Sequence, residues 1–217
     1  MSSYPRRMSS PFVWHELLTS DRQGAVDFYT SLFGWQFADG AFTVKGERVG
    51  GVRETSLPPH WAPFIEVKDP DQSAHAAGLA GGRIAGKPSS PAGIVVVDPR
   101  GVPTVVTWHH GTDLFAWHIL ESHDIAGARA WLETIAGWTS PPNRGLWRDG
   151  TQVASLANAT HDRWLGLVLV DDHRAARERA VSLGARVESA DVDASGHGVY
   201  DVMVDPQGAV FALFQGA

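Results

Sequence analysis

The chain has 217 residues, 43% of them hydrophobic, so it can bury a core as one large domain or two small ones. Its formal net charge of −6 disfavours nucleic-acid partners, because binding a phosphate backbone requires clustered Lys and Arg. The absence of cysteine excludes thiolate metal sites and thiol nucleophiles and favours a cytoplasmic protein, and the absence of a long apolar stretch argues against a membrane partner.

The first elements follow a short polar tail. Residues 1–10 carry charge but no following apolar run, which indicates a flexible N-terminal tail and not a signal peptide. A strand is predicted over residues 12–18, and Asp21 then caps a helix that ends at Gly34. The helix has an apolar stripe at helical spacing, formed by Ala25, Phe28, Tyr29, Leu32 and Phe33.

Short strands and a second helix complete the first part of the chain, and the same order then returns. Strands are predicted over 42–45, 48–53 and 64–67, a helix over 71–80, and two strands around the Asp98–Gly101 turn. The corresponding later elements are strands over 115–120, 145–148, 152–156 and 165–170, helices after Asp124 and over 173–183, and two strands around the Asp205–Gly208 turn.

This return is an internal repeat. Residues 14–35, WHELLTSDRQGAVDFYTSLFGW, align without a gap on residues 117–138, WHILESHDIAGARAWLETIAGW, at an offset of 103. The Asp-Pro-x-Gly turns align at an offset of 107. We therefore predict two homologous halves, residues 11–111 and 113–217.

The repeated motif resembles the vicinal oxygen chelate superfamily of glyoxalases, bleomycin-resistance proteins and extradiol dioxygenases. The "WHELLTSD…AVDFYTSLFGW" opening with a later "DPxG" turn carries this resemblance, which covers nearly the whole chain. It implies an α+β fold of four tandem βαβββ modules in two halves, with curved mixed sheets enclosing small-molecule cavities.

The resemblance also implies where a metal would be bound in catalytic members, through His, Gln or Glu side chains. The first ligand position falls on Trp14 and Trp117, and the carboxylate position falls on Val105 and Ala212. The remaining position falls at or beside Pro63, and at Leu165 or Gly166. None of these side chains ligates a metal, so we expect no cofactor and no stoichiometric divalent ion.

Strand alternation makes two carboxylates the candidate catalytic residues. Glu16 shares a strand face with Trp14, and Glu121 shares one with Trp117, so both are predicted to face the cavities. A partly buried carboxylate with a raised pKa would serve as a general base or bind a cationic ligand. The alternative is that each Glu lies at a strand end in water or pairs with an Arg.

The same alternation turns His15 and His118 to the other strand face, where a histidine is usually a packed core residue. A bulge in the first strand of either half would reverse this assignment and make His15, Glu16 and His118 an atypical metal site. Four of the nine tryptophans lie at repeat-related strand positions and are predicted either to line the cavities and stack on an aromatic ligand or to pack in the core: Trp14, Trp61, Trp117 and Trp164.

The leading hypothesis is a metal-independent protein, monomer or homodimer, that binds an apolar or aromatic small molecule. It would sequester that molecule or, if it is an enzyme, promote a lyase- or isomerase-type acid/base rearrangement with Glu16 or Glu121. One alternative is a metal-dependent lyase, isomerase or dioxygenase with atypical ligands. The other is a degenerate scaffold or interaction protein whose cavities are filled.

Overall fold

The computed structural model describes residues 10–88, 91–141 and 145–217, so the predicted tail lies outside the described residues except for Ser10. Over its described residues the first half contains two helices and eight strands: β1 (Phe12–Thr19), α1 (Arg22–Phe33), β2 (Gln36–Ala38), β3 (Ala41–Val44), β4 (Glu47–Glu54), β5 (His60–Glu66), α2 (Pro70–Leu79), β6 (Arg83–Gly86), β7 (Ile94–Val97) and β8 (Pro103–Thr107).

The second half contains two helices and seven strands among its described residues: β9 (Trp117–Ser122), α3 (Ile125–Ala136), β10 (Gly145–Arg148), β11 (Thr151–Asn158), β12 (Arg163–Leu169), α4 (His173–Ser182), β13 (Arg186–Asp193), β14 (Gly198–Val204) and β15 (Val210–Gly216). Strands β2, β6 and β13 were not predicted. β6 and β13 are edge strands with almost entirely exposed residues, so they lack the alternating apolar pattern.

Each half forms one mixed sheet. The strand order is β2-β3-β4-β1-β5-β8-β7-β6 in the first sheet and β10-β11-β9-β12-β15-β14-β13 in the second. The opening strand of each half, β1 or β9, lies between a parallel and an antiparallel neighbour. This arrangement confirms the predicted α+β fold class.

The helix boundaries follow the predicted capping signals. Asp21 accepts a hydrogen bond from the Gly24 amide at 2.9 Å, and Asp124 accepts one from Gly127 at the same distance. Gly34 and its counterpart at position 137 end α1 and α3 in the left-handed conformation, which a residue without Cβ adopts at least cost.

The helices bring the two halves together. α1 contacts α4 and α2 contacts α3, so each of the two large core clusters contains residues from both halves. The side of each sheet facing this core is here called the core face, and the opposite side is called the cup face. Among the described residues no helix is both long and apolar enough to cross a membrane.

Candidate functional site

The cup face of the first sheet carries a row of three apolar side chains. Trp14 on β1 pairs in register with Phe64 on β5, and Phe64 pairs with Val105 on β8. Phe64 and Val105 are buried, whereas Trp14 is half-buried at the edge of the same cluster. We call Trp14, Phe64 and Val105 the first row.

The second sheet repeats this arrangement with different side chains. Trp117 on β9 pairs with Leu167 on β12, and Leu167 pairs with Ala212 on β15. These three residues form the second row. The sequence placed the middle position at Leu165 or Gly166, but the strand register puts Leu167 beside Trp117.

The residues of the first row, and Trp117 and Ala212 of the second row, occupy strand positions that the family resemblance assigns to metal ligands. A divalent site needs about three converging nitrogen, oxygen or sulfur ligands. Indole, phenyl and aliphatic side chains provide none. The residues of both rows therefore do not fit the metal that the family resemblance implies.

Glu16 lies on the cup face, two residues after Trp14. One of its carboxylate oxygens lies 2.9 Å from Arg53 Nη2 on the adjacent strand β4. Burial raises the pKa of Glu16, and the Arg53 guanidinium partly opposes this rise. The candidate base is thus a desolvated carboxylate with one half-exposed cationic partner.

Glu121 belongs to a denser polar cluster at the end of β9. Its Oε2 accepts hydrogen bonds from Arg163 Nε at 2.5 Å and lies 2.9 Å from His161 Nε2. Arg163 also binds Glu188 through two nitrogens. Both candidate glutamates therefore pair with an arginine, but Glu121 shares its arginine with a second carboxylate.

The structure does not bring the four candidate tryptophans to one face. Trp61 pairs with Leu17 and packs in the core, where its Nε1–H donates to Tyr29 Oη at 2.9 Å. Trp164 likewise packs in the core and donates to Thr104 Oγ1 at 3.0 Å. Only Trp14 and Trp117 belong to the cup-face rows.

His15 and His118 meet on the core face between the two halves. Their Nε2 atoms are 2.8 Å apart, and Asp113 Oδ1 lies 3.9 Å from His15 and 3.6 Å from His118. A register shift does occur in β1, between Phe12 and Trp14. It precedes Trp14 and leaves His15 and Glu16 on opposite faces, so the atypical set His15, Glu16 and His118 is not assembled.

Sequence reasoning placed the position of Phe64 only as at or beside Pro63, and it missed Arg53 and Asp113 as site residues. One available signal was the repeat offset of 103 residues. His15 and His118 are separated by this offset and contact each other. Ser10 and Asp113 are separated by the same offset and share a 2.6 Å hydrogen bond. Residues at equivalent repeat positions touch one another only near the axis that relates two halves. The offset could therefore have placed Asp113 near the histidines.

Comparisons with known proteins agree with this fold. Residues 117–214 match the family described as "Glyoxalase-like domain". The chain is 26% identical to CFP32 of Mycobacterium bovis, named as a glyoxylase, with 94% of both chains aligned. It is also 26% identical to the anthracycline biosynthesis protein DauV of Streptomyces sp. (strain C5), over 93% of this chain and 92% of that protein.

Solved structures share the architecture at low sequence identity. The Mn(II)-bound glyoxalase from Novosphingobium aromaticivorans is 13% identical, with a TM-score of 0.65 over 95% of this chain and 82% of that one. Homoprotocatechuate 2,3-dioxygenase from Brevibacterium fuscum is also 13% identical, with a TM-score of 0.66 over 97% and 83% of the two chains. The second half therefore matches a glyoxalase-like family, and the whole chain shares its fold with a glyoxalase and a 2,3-dioxygenase, which is consistent with the resemblance of the repeated motif.

Proposed function

We propose that this protein binds an apolar, aromatic small molecule on the cup face of its first sheet, without a metal ion there. The first row carries this proposal, because Trp14, Phe64 and Val105 form a continuous apolar row at positions that the resemblance assigns to polar metal ligands. An apolar row of this kind favours a flat ligand held by stacking and apolar burial.

An unsatisfied donor favours the first half over the second. Trp14 Nε1 is buried and has no hydrogen-bond partner among the described residues. Its counterpart Trp117 Nε1 donates to Ser155 Oγ at 3.1 Å. A buried N–H without an acceptor is costly, so a ligand oxygen placed beside Trp14 would be stabilised there.

The ion pair of Glu16 and Arg53 supplies the polar end of the proposed site. Arg53 can face an anionic or carbonyl group of the ligand, and Glu16 can accept a proton in an acid/base rearrangement. Its raised pKa makes Glu16 a stronger base than an exposed glutamate.

The relatives support a ligand of this chemistry. DauV and DnrV, from two Streptomyces strains, are named as anthracycline biosynthesis proteins. Anthracyclines contain fused flat rings with quinone and hydroxyl oxygens, which could stack on an indole and accept its N–H.

A second candidate function is that of a scaffold whose cups are filled. Phe64 and Val105 are only 0% and 2% exposed, and Ala212 in the second row is 0% exposed. Ligand binding at the first row therefore requires access past Trp14, whereas a scaffold requires none.

The test is a titration with anthraquinone-2-sulfonate, carried out with and without EDTA and followed by tryptophan fluorescence and calorimetry. We expect Trp14→Ala to raise Kd by about tenfold or more, equivalent to about 1.4 kcal/mol. The matched variant Trp117→Ala, in the second row, should bind like the wild type. No binding by the wild type would favour the scaffold, and binding abolished by EDTA would favour the metal-dependent alternative.

Anthracene-2-sulfonate, which lacks the quinone oxygens, tests the unsatisfied donor. Trp14→Phe keeps an aromatic ring but removes the N–H, so it should weaken the quinone probe more than the anthracene probe. Equal weakening of both probes would show that Trp14 contributes stacking alone.

A further inference from the structure

We propose that a divalent transition metal of the zinc class binds between the two halves, held by His15 Nε2, His118 Nε2 and Asp113 Oδ1. This site lies on the core face, whereas the family resemblance places a metal on the cup face. It is also independent of the small-molecule site, because β1 directs His15 and Glu16 to opposite sides.

The three donor atoms have separations suited to such an ion. They form a triangle with sides of 2.8, 3.6 and 3.9 Å. The point equidistant from all three lies about 2.0 Å from each atom, which equals the usual bond length from zinc to histidine nitrogen or carboxylate oxygen. Two imidazoles and one carboxylate are also a common ligand set for zinc, iron and nickel.

The surroundings hold these donors in a state that can ligate. Both histidines are only 1% exposed, so their imidazoles are enclosed by the core of the two halves. Asp113 Oδ2 accepts a hydrogen bond from Ser10 Oγ at 2.6 Å, and Oδ1 accepts one from the Phe115 amide at 3.1 Å. Outer hydrogen bonds of this kind fix the direction of a ligating carboxylate.

Binding changes one feature of the present arrangement. The two imidazole planes are nearly parallel, with centroids 5.0 Å apart, so the Nε2 atoms face one another and share a hydrogen bond. A metal ion replaces the shared proton, and each ring tilts to direct its lone pair at the ion. The ion then joins β1, β9 and the segment between the halves.

The other histidine–aspartate cluster is a weaker candidate. His173, Asp191 and Asp201 also lie close together, but Arg177 Nη1 is 2.8 Å from Asp201 and 3.2 Å from Asp191. Arg177 pairs with both carboxylates and Arg174 pairs with Asp191, so this cluster is an ion-pair network.

The experiment is a Co²⁺ titration of full-length protein previously treated with a chelator and then freed of it. We expect one equivalent to bind, with visible absorption bands of cobalt coordinated by nitrogen and oxygen, and with a higher thermal midpoint. Asp113→Asn keeps both imidazoles and should weaken Co²⁺ binding at least tenfold. His118→Phe should weaken it at least a hundredfold.

Two control variants locate the ion. Glu16→Gln, on the cup face, and Asp191→Asn, in the ion-pair network, should each bind Co²⁺ within twofold of the wild type. If His118→Phe does not fold, Asp113→Asn alone decides the result, because it preserves size and shape. Wild-type protein that binds no stoichiometric cobalt, or that binds it equally well after Asp113→Asn, would overturn the proposal.

Discussion

Tyr29→Phe should destabilise the protein through a buried chain of hydrogen bonds that crosses the two halves. Tyr29 Oη on α1 accepts the Trp61 Nε1–H at 2.9 Å and donates to Asp205 Oδ2 at 3.0 Å, in the turn between β14 and β15. Burial raises the pKa of Tyr29 well above its usual range, so the hydroxyl keeps its proton and remains a donor.

The expected loss follows from the groups left behind. Removing the Tyr29 hydroxyl leaves the buried Trp61 indole N–H without an acceptor. It also removes one hydrogen-bond donor from the Asp205 carboxylate, which is 3% exposed. A buried unsatisfied group costs about 1–3 kcal/mol and a hydrogen bond to a charged group contributes about 1.5–3 kcal/mol. Because contributions within one network are not additive, we expect a total loss of about 2–4 kcal/mol. For a chain of this length, that lowers the thermal midpoint by about 5–15 °C.

The loss should also depend on pH. Burial raises the pKa of Asp205, and the hydrogen bond from Tyr29 opposes this rise. Tyr29→Phe therefore raises the folded-state pKa of Asp205 further. A carboxylate whose folded pKa lies above its unfolded pKa contributes stability that is lost as pH rises through the folded pKa. The difference in unfolding free energy between Tyr29→Phe and the wild type should therefore increase from pH 4 to pH 7.

Chemical denaturation of a double-mutant cycle measures this coupling. In a Trp61→Phe background there is no indole N–H to orphan, so Tyr29→Phe should cost about 1–2 kcal/mol less than in the wild type. Thr104→Val is the matched control, because it removes the acceptor of the Trp164 indole N–H in the other core cluster and leaves Tyr29 and Trp61 unchanged. Additive effects of the two substitutions at 29 and 61, or a gap that does not change with pH, would refute the reasoning.

Three further changes test the polar groups of the cups and one helix cap. Glu16→Gln should leave the thermal midpoint at pH 7 unchanged or slightly higher, because burial disfavours the Glu16 charge and Arg53 is 42% exposed; a large fall would assign Glu16 a structural role. Arg163→Met should lower the free energy of unfolding by about 1–3 kcal/mol, because Glu121 loses its arginine partner. Urea denaturation that shows no change would contradict this prediction. Asp124→Ala should cost about 1 kcal/mol by removing the cap of α3, measured by the same denaturation; an unchanged midpoint would show that the cap contributes nothing.

Local features of the fold could be predicted from the sequence because they depend on neighbouring residues. Asp21 and Asp124 cap their helices as predicted, and the alternation around Trp14 correctly separated Glu16 from His15. These features need only a period of two or 3.6 residues and a short side-chain contact.

Features set by long-range pairing could not be predicted. Whether Trp61 faces the cup or the core depends on its register with Leu17, which lies more than 40 residues away, and a one-residue slip reverses the face. The arginine partners of the two glutamates could not be predicted for the same reason. Glu16 pairs with Arg53 on β4, whereas Glu121 pairs with Arg163 on β12. Equivalent repeat positions thus acquire different neighbours.

The Trp-His dipeptide that opens both halves connects the two proposals. A strand directs adjacent residues to opposite faces, so Trp14 fills the first row while His15 is directed to the junction between the halves. On the cup face, a metal needs ligands from three different strands of one sheet, and a single tryptophan removes one of them. At the junction the repeat supplies the same histidine twice, so duplication provides two of the three ligands of the proposed metal site, and Asp113 is the third.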